Sequence, residues 1–137
     1  MKRKLLTLCA VLCTATLMTT PVLANNCADS VMPTKYIGYT TYANTEYRTK
    51  TDATSHYIKN SCGFELWVNS RTTDNTECAI NGHAIVPSSG EYFVRNLVSE
   101  KGYHSCRLML STSKSGIQGP LRGVWSPDSV GNYPCVN

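Results

Sequence analysis

The feature that most restricts this chain is an apolar period of two. No window carries a sustained 3.6-residue apolar repeat, and several alternate. In "FELWVN", Phe64, Leu66 and Val68 share one face, with Glu65, Trp67 and Asn69 on the other. In "SCRLMLS", Cys106, Leu108 and Leu110 oppose Ser105, Arg107, Met109 and Ser111. Successive strand residues point to opposite sides, so this alternation buries one face and wets the other. "YIGYTTY" (Tyr36 to Tyr42), "SHYIKN" (Ser55 to Asn60), "YFVRNLV" (Tyr92 to Val98) and "LRGVW" (Leu121 to Trp125) add aromatic and β-branched strand formers. Asn81-Gly82, between "ECAI" and "HAIV", is a strong short hairpin signal. Pro-Ser-Ser-Gly and Gly119-Pro120 punctuate the later strands. The pattern predicts an all-β fold: a single small antiparallel β-sandwich, or a barrel, of about seven or eight short strands. One helical turn is expected near "NLVSEKG", stopped by Gly102.

The first 24 residues read as a secretory signal peptide rather than as fold. Lys2, Arg3 and Lys4 form a positive start, Leu5 to Met18 an apolar run, and Val22 and Ala24 the small-residue positions before a cut. The run is shorter than the roughly 20 apolar residues of a transmembrane helix. The expected domains are therefore a signal peptide over 1–24 and one β-rich domain over 25–137, secreted, with no transmembrane segment in the mature chain. A lipid anchor fits poorly, because Cys27 follows Asn25 and Asn26 rather than a small residue at the cut. Removing the three basic residues takes the formal charge of +4 to +1. No basic run survives, which argues against a nucleic-acid partner.

Export makes disulfides the default state of the five remaining cysteines, Cys27, Cys62, Cys78, Cys106 and Cys135. An odd number leaves one thiol free, or pairs it between two chains in a disulfide-linked dimer. Sequence does not choose among the pairings; Cys27 with Cys135 is preferred because both lie near the mature termini.

Eight tyrosines and two tryptophans against two phenylalanines suit half-wet sheet faces. Tyr36 and Tyr42 share a face if their strand is unbroken. Together with Trp67 and Trp125 they are the candidate ligand-binding rings; the structural reading of the same rings is sheet packing. Cys78, His83, His104 and Cys106 could offer soft metal ligands, but their spacing fits no common closed zinc site. Disulfide half-cystines and surface histidines explain them as well, and His56 is read as a strand surface residue. Hence no metal, no cofactor and no catalytic residue is assigned. "STSK" (Ser111 to Lys114) matches S-x-x-K, yet lies at a strand exit instead of a buried helix start. There is no G-x-S-x-G elbow and no phosphate loop. In "WSPDS", Pro127 fixes its backbone and Asp128 favours a turn, so the tail reads as a strand end and a turn. Trp125 would then cover one end of the core.

The tail "GVWSPDS", with "YRTKTDATSHYI" (Tyr47 to Ile58) and "VSEKGYHSCRLML" (Val98 to Leu110), resembles small secreted β-rich proteins of Gram-positive, clostridia-like bacteria. The resemblance covers roughly Glu46 to Val130. It implies an exported bacterial protein with one β domain, and no activity or site residue comes with it. The function expected is a non-enzymatic secreted domain that binds an extracellular or cell-envelope glycan or protein. The alternatives are a bacteriocin-like toxin acting on a neighbouring envelope and, more remotely, a small secreted hydrolase.

Overall fold

The computed structural model describes residues 25–137; the segment read as a signal peptide lies outside the described residues. The chain runs through twelve short strands: β1 (Ser30–Val31), β2 (Tyr36–Gly38), β3 (Ala43–Asn44), β4 (Arg48–Thr49), β5 (His56–Asn60), β6 (Leu66–Arg71), β7 (Ala84–Val86), β8 (Gly90–Val94), β9 (Ser105–Thr112), β10 (Gln118–Pro120), β11 (Gly123–Ser126) and β12 (Cys135–Val136). One sheet has the order β1-β11-β5-β8-β12. A second has the order β3-β9-β6-β7, with β4 also paired to β9. β10 and β2 form a two-stranded ribbon. Every pairing is antiparallel except β12 with β8.

The alternation read from the sequence decides what each sheet buries. Leu66 and Val68 of β6, with Leu108 and Leu110 of β9, face inward. They meet Ile58 of β5 and Trp125 of β11 from the first sheet in one hydrophobic cluster. This is a small β-sandwich. Phe64 packs on the core's margin, while Glu65 turns out to pair with Lys114 at 3.3 Å.

Several local signals resolve differently from expectation. Asn81 and Gly82 both adopt positive φ, 54° and 86°, as a tight hairpin turn requires. The segments around them do not pair with each other, however. β7 joins β6 instead, Val68 facing Ala84, and Ala79 bridges to Asn96. The turn chemistry was right and its partner strand was wrong. The expected run Tyr36 to Tyr42 is also not one strand: it bends after Gly38, whose N–H donates to the Thr41 carbonyl, and β2 and β3 enter different sheets. The turn before Gly102 forms, with Lys101 N–H bonded to the Leu97 carbonyl and Gly102 at φ 80°.

The chain does not end with β11. After a turn the tail crosses to pair with β8, placing Cys135 opposite Phe93. β1 and β12 are then the opposite edges of a five-stranded sheet. A disulfide requires Cα atoms within about 7 Å. All five described cysteines are unbonded, so the preferred Cys27–Cys135 link is not made. Cys62, Cys78 and Cys106 are buried as small apolar side chains, and Cys135 is exposed.

Candidate functional site

Two regions hold the residues that could carry function. The first is the interior end of the sandwich, under the tail. Trp125 is only 1% exposed. It stands edge-on to His56, with ring centroids 5.9 Å apart, and the Arg48 guanidinium lies over its ring at 5.7 Å. The tail reaches this position because Gly123 lets β11 approach β5. A Cβ there would stand 2.2 Å from the Lys59 carbonyl oxygen, and its φ is 152°. Burial takes Trp125 out of the exposed ring set and settles it as a core residue.

Beneath it lies a polar node. Lys50 follows β4, is 1% exposed, and sends its Nζ to Asp128 Oδ1 at 2.7 Å and to the Pro127 carbonyl at 2.8 Å. Asp128 is fully buried. Its Oδ2 accepts the N–H of Asn26 at 2.9 Å, the N–H of Thr51 at 3.0 Å and the Thr51 hydroxyl. Burial alone would raise the Asp128 pKa, but the Lys50 ammonium and the Thr51 and Asn26 donors outweigh it and hold the carboxyl well below the usual range. Ser126 closes the turn by donating to the Asp128 carbonyl at 2.7 Å. His56, expected at the surface, is fully buried, and spans the two sheets. Its Nδ1 bonds the Pro127 carbonyl and its Nε2 the Ser70 hydroxyl, each at 2.8 Å. Burial, with the Lys50 charge beside it, pushes its pKa down to about 3, so the ring is neutral at ordinary pH. A histidine against a serine hydroxyl has the outline of a nucleophilic pair. Here no substrate can reach it, since His56 is 0% and Ser70 3% exposed.

The second region is the outer face of the other sheet. Trp67 of β6 lies between Ile85 of β7 and Ser111 of β9 in register. The His83 ring stacks on it at 5.5 Å and 17°, and Tyr42 meets it edge-on at 6.1 Å. Tyr42 is 42% exposed, His83 is exposed and Trp67 is half-buried. The tertiary structure thus joins two of the proposed ligand rings, Tyr42 and Trp67, and adds His83. Tyr36 is 59% exposed but sits on the β2–β10 ribbon opposite Pro120. The expected Tyr36–Tyr42 platform is divided by the bend after Gly38.

The metal, S-x-x-K and thiol candidates do not assemble among the described residues. Among the described residues, no three His, Cys, Asp or Glu side chains gather as metal ligands. In S-x-x-K, Ser111 is buried in β9 while Lys114 turns out to Glu65. Burial raises the Cys62 and Cys78 thiols and pushes Cys106 up to about 12, the opposite of what a nucleophilic thiolate needs.

Residues 20–129 match the model of a family described as a protein of unknown function, DUF2712. The chain belongs to this family. The family match takes in both regions, from Lys50 through Trp67 to Asp128, and stops before β12 and Cys135. No curated protein and no solved structure matches the chain.

Lys50 and His56 were the residues sequence reasoning missed. Both lie in "TKTDATSHYI", which shows neither alternation nor a catalytic motif. Asp128 was seen, but as a turn residue. The one available signal was a lysine and a histidine six residues apart beside a strand otherwise suited to burial.

Proposed function

We propose that this member of the DUF2712 family is a secreted, non-enzymatic binding domain, and that its ligand is a glycan of the extracellular space or cell envelope. The observation that carries the reading is the Tyr42–Trp67–His83 row on the outer face of the β3-β9-β6-β7 sheet. Aromatic faces take the C–H side of a sugar ring, and the polar tips around them orient its hydroxyls. Here Tyr42 contributes a phenol, His83 an imidazole, and Asn44 of β3 an exposed amide on the same sheet. Trp67 lies within β6, and Tyr42 and His83 directly precede β3 and β7, so binding orders little that is not already ordered. The buried histidine–serine contact and the raised thiols favour binding over hydrolysis. The signal-like N-terminus favours export, and the exposure of Cys135 supports a disulfide-linked dimer through that thiol.

A glycan array probed with the protein from Asn25 onward tests this reading. Binding to a defined set of glycans, lost in Trp67→Ala and retained in Tyr36→Ala, is expected. No glycan bound, together with capture of an envelope protein that Trp67→Ala still captures, would overturn it.

A further inference from the structure

The geometry points to a covalent cross-link: we propose that the Lys50 and Asp128 side chains become joined by an amide bond, with Asp52 as the proton carrier. Four features converge on one pair of atoms. Nζ of Lys50 lies 2.7 Å from Oδ1 of Asp128, with both side chains at 0% exposure. The other carboxyl oxygen, Oδ2, accepts the backbone N–H groups of Asn26 and Thr51, at 2.9 and 3.0 Å. Two preorganised N–H donors on one oxygen are the arrangement that stabilises the oxyanion of an acyl-transfer intermediate. A second carboxylate, Asp52 Oδ1, stands 3.8 Å from Nζ and is itself fixed by the Thr54 N–H at 2.8 Å. Finally, the pair is buried, and the neutral His56 bonds the same Pro127 carbonyl as Lys50, so separated charges lose their solvation.

The step balances without an oxidant or any co-reactant. The Lys50 ammonium gives up one proton to Oδ1 and the freed amine attacks Cγ of Asp128; the nitrogen then passes a second proton through Asp52 to Oδ1. The negative charge gathers on Oδ2 under the Asn26 and Thr51 N–H groups. The Cγ–Oδ1 bond then breaks, and Oδ1 leaves with both protons as water. One C–N bond has formed, one C–O bond has broken, and Asp52 returns to its starting state. His56 stays neutral and hydrogen-bonded on both nitrogens throughout.

The bond has a structural use. It ties the segment after β4 to the turn after β11, across 78 residues of sequence. Such a link restrains the unfolded chain as a disulfide does, in a domain whose five described cysteines are unbonded.

Tryptic mapping of the wild-type protein under denaturing, reducing conditions decides the matter without depending on any variant's folding. Arg48, Lys59 and Arg122 bound the informative peptides. The cross-link leaves Lys50 uncleaved and yields a branched species, Thr49–Lys59 joined to Gly123–Asn137, one water lighter than the two together. Asp128→Ala should abolish it. Asp52→Asn, at a part-exposed site, should lower the linked fraction at least tenfold at a matched time after refolding. Normal cleavage at Lys50 with a linear Gly123–Asn137 peptide of full mass would overturn the proposal and leave an ordinary buried ion pair. Unchanged linkage in Asp52→Asn would overturn the role given to Asp52.

Discussion

The interior node under the tail and the aromatic row on the outer sheet are built from similar materials, and they do opposite work. Each sets a tryptophan against a histidine: Trp125 with His56, Trp67 with His83. In the node every polar group is answered. His56 is bonded on both nitrogens, and Asp128 takes donors from Lys50, Thr51 and Asn26. On the outer sheet Tyr42 shows 42% of its surface, His83 is exposed and Trp67 is half-buried. A group whose partners are all inside the protein serves stability. A group still open to solvent is available to a ligand. Residue type alone does not separate these two cases, because the same ring pair occurs in both.

The comparison breaks first at Asp128. Asp128→Ala strands the buried Lys50 ammonium, which should cost about 3–5 kcal/mol, and leaves the Asn26 and Thr51 donors unanswered, about 1–3 kcal/mol more. Urea unfolding measures it, and a loss under about 1 kcal/mol would mean that the node is not closed. Trp125→Ala comes next, at about 3–5 kcal/mol for a buried ring. If its stability were unchanged, the ring would be in solvent and the contrast with Trp67 would vanish.

Acid gives a graded test. The His56 pKa is about 3 in the folded state, against roughly 6.5 when unfolded. The unfolded chain therefore binds more protons between those values, and stability falls as pH drops below about 6.5, by up to about 1.4 kcal/mol per pH unit. Asp128, held below its ordinary value, supplies stability that is present above about pH 4 and is lost on further acidification. An amide to Lys50 would abolish this second component and spare the first. Thermal melts from pH 7 to pH 3 should show the His56 limb, and His56→Gln should flatten it.

The outer face should respond in the reverse sense. Trp67→Ala should lose ligand binding for about 1 kcal/mol of stability. Tyr36→Ala should stay within about 0.5 kcal/mol, with binding retained. A Trp67 variant as damaged as the Trp125 variant would show that the row is packing rather than surface.

Much of the architecture was legible because alternation is a local property. Leu66, Val68, Leu108 and Leu110 face inward as their spacing required, and Trp67 and Met109 face outward. The strand count was low because two-residue pairings such as β1, β3 and β4 are too short to carry a period. The Asn81-Gly82 turn was legible and its pairing was not, since a turn fixes local dihedrals while β7 chose β6 by packing. Nothing local in the sequence marks Lys50 for burial, because lysines are almost never buried unless paired. Its partner lay 78 residues away.

The sequence by itself determined that the chain is all-β, which faces of β6 and β9 are apolar, and that the segment after Trp125 turns at Pro127 and Asp128. Only the tertiary structure decided that Trp125 is interior and that Tyr36 and Tyr42 part company. It also decided that Lys50, His56 and Asp128 meet. The physical reason is one of range. Side-chain alternation and turn dihedrals are set by neighbours in the chain, whereas burial of a charge depends on whether distant strands bring it a partner.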